Sequence, residues 1–258
     1  MLTVKPLAAF TDNYIWLLKH DDGKHCVVVD PGDANVVIDE LTKESLILNG
    51  ILITHHHNDH TGGVDELKSR YKVPVYGPEN SPYKGITQTL SDGDTLMILN
   101  ESFEVLAVPG HTLDHIAFYT NSTQTPKLFC GDTLFLAGCG RLFEGSPAQM
   151  LTAMDKFREL PPKTEVYCTH EYSLANLAFA NAVEPNNGKI TQTLNQCKKL
   201  REQNKPTLPS SIEQELAINP FMRTRKPSVV ASAKAYKEVS NMDEVAVFSA
   251  IREWKNSY

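Results

Sequence analysis

The chain has 258 residues, enough for one large domain or for one domain with an appendage. A hydrophobic share of 41% against 22% charged residues excludes a disordered chain. The formal net charge of −6, with no run of basic residues, argues against a nucleic-acid backbone as partner but leaves an anionic small substrate open.

In chain order, residues 2 to 20 alternate weakly in polarity and end in Tyr14-Ile-Trp-Leu-Leu18, a predicted strand. Cys26-Val-Val-Val-Asp30 is a second, closed by the turn Pro31-Gly32-Asp33. Ala34 to Lys43 reads as a helix, and the apolar Ile51 to Ile53 as a buried strand end. Helix formers run from Thr61 to Tyr71 through the Gly62-Gly63 turn. Val73-Pro-Val-Tyr76 is short and carries a proline, which predicts an edge strand. Leu96 to Leu99 pairs with Phe103 to Val108, and Ile116 to Tyr119 pairs with Lys127 to Cys130, each across a polar turn. Glu165 to Thr169 is the last strand. Strands with interspersed helices predict a layered α/β domain over residues 1–172. After Tyr172 strand signals stop. Helices are predicted at Ser173 to Glu184, Lys189 to Asn204, Ser211 to Leu216 and Asp243 to Trp254, making 173–258 an all-helical domain. Ser211 with Gln214 forms a capping-box pattern.

The five cysteines, Cys26, Cys130, Cys139, Cys168 and Cys197, form no Cys-x-x-Cys pair, which predicts free thiols in a reducing compartment. No charged leader precedes an apolar segment, and no apolar run is long enough to span a membrane. A cytoplasmic protein without membrane contact is expected.

The chemistry concentrates in Ile51-Leu-Ile-Thr-His-His-His-Asn-Asp-His60, where a strand breaks into four histidines and an aspartate. In an extended loop His55 and His57 project to one side and His56 to the other. Imidazole with carboxylate suits zinc, iron or manganese better than calcium or magnesium. The tract is internal, so it is no expression tag, and two ligand pairs in one loop point to two metals. Three more strand ends carry metal-competent groups: His111 after Val108-Pro-Gly, Asp132 after Phe129-Cys-Gly, and His170 after Val166-Tyr-Cys-Thr. Each alone reads more readily as a capping or surface residue than as a ligand. His20 and His25 flank a turn and are expected on the surface, His56 and His115 are expected to be structural, and so is Cys139.

The motif His55-x-His57-x-Asp59-His60 after a strand resembles the metallo-β-lactamase superfamily. That resemblance implies an αββα sandwich with the metal site at one edge of its two sheets. It assigns His55, His57 and His111 to one metal and Asp59, His60 and His170 to the other, with Asp132 bridging them roughly 3.5 Å apart. Asp59 and Asp132 thereby become catalytic, because the metal-bridging hydroxide is the nucleophile. Asp30, at the end of its strand, is implied to help hold the metal loop. Zinc is the expected metal, with iron or manganese also accepted.

Three further stretches are similar to the glyoxalase II family: Gly131-Asp-Thr-Leu-Phe-Leu-Ala-Gly-Cys-Gly-Arg141, His170-Glu-Tyr172 with the helix ending in Val183-Glu-Pro185, and Asn219-Pro-Phe-Met-Arg223. The likeness runs from Asp12-Asn13-Tyr14 to Lys255. It implies hydrolysis of the thioester S-D-lactoylglutathione to glutathione and D-lactate by a monomer. Glutathione would be bound by Arg141, Tyr172, Arg252 and Lys255, with Phe143 standing where many relatives carry tyrosine. The competing enzymes are a lactonase, a β-lactamase, or a persulfide dioxygenase holding a single iron.

Overall fold

Alternating apolar residues build a six-stranded sheet in the order β1 (Thr3–Ala9), β2 (Asn13–Lys19), β3 (His25–Val29), β4 (Ile47–Leu52), β5 (Val75–Pro78), β6 (Gln88–Leu90). The structure, a computed structural model, describes residues 2–258. β1 to β3 run antiparallel and β3 to β6 parallel. The parallel strands are joined by α1 (Ala34–Glu44) and then by α2 (Asn58–Thr61) with α3 (Val64–Tyr71), as parallel pairing requires a crossover. Asp33 caps α1, its Oδ1 accepting from Asn35 N at 2.9 Å.

The period of two along β2 sorts its side chains. Ile15 and Leu17 join Val28, Ile51 and Val75 in one buried cluster with Val37 and Leu41 of α1 and Val64 and Leu67 of α3. Trp16 faces the other way, its ring 4.9 Å from that of Tyr167, and its Nε1 donates to Cys168 O at 3.0 Å. That opposite face is covered by a second sheet: β7 (Thr95–Ile98), β8 (Glu101–Ala107), β9 (Ile116–Thr120), β10 (Lys127–Gly131) and, beyond the hairpin β11 (Leu134–Phe135) with β12 (Gly138–Cys139), β13 (Glu165–Cys168). Trp16 is 2% exposed, so its truncation to alanine would cost about 3–5 kcal/mol.

The chain divides into two compact units interleaved along the sequence. The first runs to Val108 and adds Asp114–Gly131 and Tyr167–His170; the second holds Pro109–Leu113, Asp132–Val166 and Glu171–Tyr258. The second unit contains α4 (Pro147–Arg158), α5 (Ser173–Val183), α6 (Gly188–Glu202), the short strand β14 (Ser210–Ser211), α7 (Ile212–Ile218), α8 (Pro227–Lys237) and α9 (Glu244–Ser257). Its core is aromatic: Phe179, Phe221 and Phe248 are fully buried, and Phe221 lies 6.3 Å from Phe179 and 5.3 Å from Phe248. The pair Arg223–Glu184 ties the segment after Met222 to the end of α5, with Nε to Oε2 at 2.6 Å.

Several expectations are corrected. The strand around Val73 to Tyr76 is not an edge: β5 lies between β4 and β6. Pro74 precedes it, offering only its carbonyl, which accepts from Ile51 N at 3.0 Å, so the missing N–H is never needed. Strand structure does not end at Tyr172, since Ser210 and Ser211 pair with Val166 and Glu165. His20 and His25 lie at the surface as expected, both imidazoles meeting Asp22 Oδ2, at 3.1 and 2.6 Å. Helices α4 and α8 lie where none was expected.

Candidate metal centre

The parallel strands deliver the first set of candidate donors. β3 and β4 end side by side, and ligands gather beyond the carboxyl ends of such strands. Asp30 follows β3, buried and left-handed at φ 51, a conformation uncommon outside glycine but tolerated by aspartate. Its Oδ1 accepts from Thr54 N at 2.8 Å and its Oδ2 from Thr54 Oγ1 at 2.7 Å and from His60 Nδ1 at 3.0 Å. Thr54 Oγ1 gives its one proton to Asp30, so it accepts from His55 Nδ1 at 3.1 Å. His170 Nδ1 donates to Asp12 Oδ1 at 2.8 Å. In His55, His60 and His170 the proton therefore sits on Nδ1 and the lone pair on Nε2, the tautomer a metal needs.

Around this frame the donors cluster. Asp59 Oδ2 lies 3.5 Å from His60 Nε2 and 3.4 Å from His170 Nε2, and the donor atoms of these three residues all lie within 4.8 Å of one another. Asn13 Nδ2 donates to the same Asp59 oxygen at 3.0 Å. The rings of His55 and His57 are 4.8 Å apart. Gly32 makes this packing possible, because a Cβ there would fall 2.0 Å from Asp59 O. His56 turns to Asp114 Oδ1 at 2.9 Å, and His115 stacks on His55 at 4.5 Å with its Nδ1 on Ile116 O at 3.0 Å.

In the second unit His111 Nε2 lies 3.4 Å from Asp132 Oδ2. His111 Nδ1 donates to Arg141 O at 2.7 Å; a carbonyl only accepts, so here too the lone pair is on Nε2. Gly140 backs this pair closely, since a Cβ on it would meet Asp132 O at 2.0 Å. Phe143, 61% exposed, sets its ring edge-on to His111 at 5.3 Å, while Arg141 is exposed. Tyr172 is 40% exposed and leans on Phe135 at 5.4 Å.

The two basic residues of α9 differ. Arg252 is buried, its Nη1 donating to Cys139 O at 2.8 Å and its Nε to Asn256 Oδ1 at 3.1 Å. Lys255 sends Nζ to Ala175 O at 3.4 Å over the Phe179 ring. Burial, and then the neighbouring Arg252 charge, lower its pKa. Burial pushes the Cys139 thiol up against the pull of Arg252, which suits a structural cysteine.

Clustered imidazoles with a carboxylate are the donor chemistry of a first-row metal site, and the His/Asp cluster supports a binuclear one. Reasoning from sequence alone missed the orienting roles of Asp12, Thr54 and Asp114 and the carbonyl of Arg141. Asp12 and Asp114 were visible only as polar residues beside other motifs, and a carbonyl leaves no sequence signal.

Comparison with known proteins adds two family matches: the metallo-β-lactamase superfamily over residues 9–170 and the hydroxyacylglutathione hydrolase C-terminus over residues 171–258. A hydroxyacylglutathione hydrolase of Vibrio parahaemolyticus serotype O3:K6 (strain RIMD 2210633) is 49% identical, covering 100% of both chains. The crystal structure of the B3 metallo-β-lactamase BLEG-1 superposes with a TM-score of 0.65 at 26% identity, covering 86% of this chain and 99% of that one. That of TTHA1623 in a di-iron-bound form superposes with a TM-score of 0.56 at 27% identity, covering 64% and 91%.

Proposed function

The chain belongs to the hydroxyacylglutathione hydrolase family of the metallo-β-lactamase superfamily, and from that premise we propose that it hydrolyses S-2-hydroxyacylglutathione thioesters, S-D-lactoylglutathione foremost. The products are glutathione and the free hydroxy acid, D-lactate. The observation that carries this reading is the set of imidazoles locked with Nδ1 on an acceptor, beside the Asp59, His60 and His170 cluster.

In this reading His55, His57 and His111 would hold one divalent cation and Asp59, His60 and His170 the other, with Asp132 a carboxylate that would serve both. Zinc fits this set, as do iron and manganese. The two cations supply electrophilic activation of the thioester carbonyl and of an attacking water. The residues supply the rest. Asp30, Asp12 and the Arg141 carbonyl keep the imidazoles in the ligating tautomer. No side chain need protonate the departing sulfur, because a thiol of pKa near ~8.5 leaves as thiolate.

The tripeptide is held by Arg141, Tyr172, Arg252 and Lys255. Lys255, whose pKa burial and then Arg252 lower, would be favoured in its charged form by the glycine carboxylate. Arg252 has a double task, since it also anchors Cys139 O. Phe143 contributes an apolar face and no hydroxyl. Residues 1–172 would thus carry the metals, and the glutathione contacts divide between Arg141 and Tyr172 there and Arg252 and Lys255 in 173–258. We further propose a monomer without nucleic-acid partners; no described helix is long and apolar enough to cross a membrane. Five buried free cysteines support a reducing, cytoplasmic setting. The lactonase, β-lactamase and dioxygenase readings are not favoured, since they do not account for the full-length match.

The test is loss of thioester absorbance with S-D-lactoylglutathione, with elemental analysis of the same sample. Turnover with two metal equivalents per chain is expected; an untouched substrate, or a single ion in a metal-replete sample, would overturn the assignment.

A further inference from the structure

One buried titratable group has no part in the chemistry above. Glu215 on α7 is fully buried, and its Oε2 accepts from Ala137 N at 2.9 Å and from Asn219 Nδ2 at 2.9 Å. Asn219 Nδ2 also reaches Phe135 O at 3.2 Å and Gly138 O at 2.9 Å, and Asn176 Nδ2 donates to Leu136 O at 3.2 Å. Apart from the bond between Asn219 and Glu215 themselves, these bonds end on the hairpin of β11 and β12. The hairpin needs them at one point above all: Ala137 has φ 55, and alanine has no polar side chain to stabilise a left-handed turn. The return strand then leads to the ligands. Gly140 N donates to Thr133 O at 3.3 Å, Gly140 packs on Asp132 O, and Arg141 O receives His111 Nδ1.

We propose that Glu215 is a positioning residue: by accepting the Ala137 N–H it holds the left-handed turn, and so keeps Gly140 and Arg141 where they orient Asp132 and His111 for metal. This rests on reading Asp132 and His111 as ligands. Either protonation state of the carboxyl leaves an oxygen for Ala137, so the clamp works across the pH range.

The test is Zn2+ affinity of the full chain, measured by competition with a chromophoric chelator, for four variants. Glu215→Met fills the volume without an acceptor and should weaken binding about tenfold, the low end for a group behind a metal ligand. Glu215→Gln keeps the acceptor and should stay within about twofold. Adding Ala137→Gly to Glu215→Met should recover most of the loss, because glycine adopts the left-handed turn unaided; a cavity or general destabilisation would not be recovered this way. Ala137→Val strains the same turn with Glu215 intact, should weaken binding likewise, and decides the question if Glu215→Met does not fold. Wild-type affinity in Glu215→Met or Ala137→Val, or a loss that Ala137→Gly leaves unrepaired, overturns the clamp. Failure of the unaltered chain to bind two equivalents would instead overturn the metal reading itself.

Discussion

Between β4 and α3 the metal-competent imidazoles are oriented by carboxylates: Asp30 stands directly behind His60 and, through Thr54, behind His55. Around the hairpin of β11 and β12 the orienting group is a backbone carbonyl, Arg141 O behind His111, and that carbonyl is placed by Glu215, Asn219 and Arg252, which are far away in sequence. A carboxylate strengthens an imidazole as donor and can be deleted by one substitution. A carbonyl cannot be deleted, only moved. The first region is therefore vulnerable at the residue behind the ligand, and the second at the residues that shape its loop.

The largest effect should come from the second region's own ligand. Asp132→Ala is expected to lower thioester hydrolysis by about 10³-fold or more, several kcal/mol at about 1.36 kcal/mol per decade, together with metal content. Retained activity with two metals per chain would remove Asp132 from the bridge. Next comes Glu215, whose burial pushes its carboxyl up to about 7 from the usual 4.5. A raised carboxyl pKa stabilises the fold fully below about pH 4.5; that contribution, about 3 kcal/mol, is lost as pH rises to about 7. Urea unfolding of the wild type should show this slope and Glu215→Gln should lack it; parallel profiles would mean the carboxyl is not perturbed.

Asp30→Asn tests the first region, because asparagine tolerates φ 51 but presents an amide in place of one carboxylate oxygen. Metal affinity should fall about 10- to 100-fold with the far-ultraviolet circular dichroism unchanged, and a smaller loss than in Glu215→Met would erase the contrast between the regions. The smallest effect is at Phe143, where Phe143→Tyr adds one hydroxyl. If that hydroxyl meets the tripeptide, KM for the glutathione thioester should drop about fivefold, as one hydrogen bond of about 1 kcal/mol allows. An unchanged KM would show that position 143 contributes packing alone.

Much of the first region was legible from residue order. The run Ile51 to Ile53 before His55 to His60 reads as a buried strand opening into a loop, and β4 ends at Leu52 just before that loop. The helix α4 was not seen, although Ser146 and Gln149 form a full capping box around Pro147 and Met150, Leu151, Met154 and Phe157 recur at helical spacing. The capping box expected at Ser211 is half formed, with Ser211 Oγ accepting from Gln214 N at 3.2 Å. The edge assignment of Val73 to Tyr76 failed because a proline's position relative to the ladder is decided by the neighbouring strands.

Residue types and spacing by themselves determined the layered fold and the family and named the candidate donors, because periodicity and ligand chemistry are local properties of the chain. Only the tertiary structure decided which nitrogen of each imidazole carries its proton, since that depends on Asp30, Asp12 and Arg141 O arriving from other elements. It also decided that a glutamate 78 residues beyond Ala137 holds the turn beside the His111 and Asp132 pair. A buried hydrogen bond needs its partner in space, and no pattern along the chain records which residue folding will bring there.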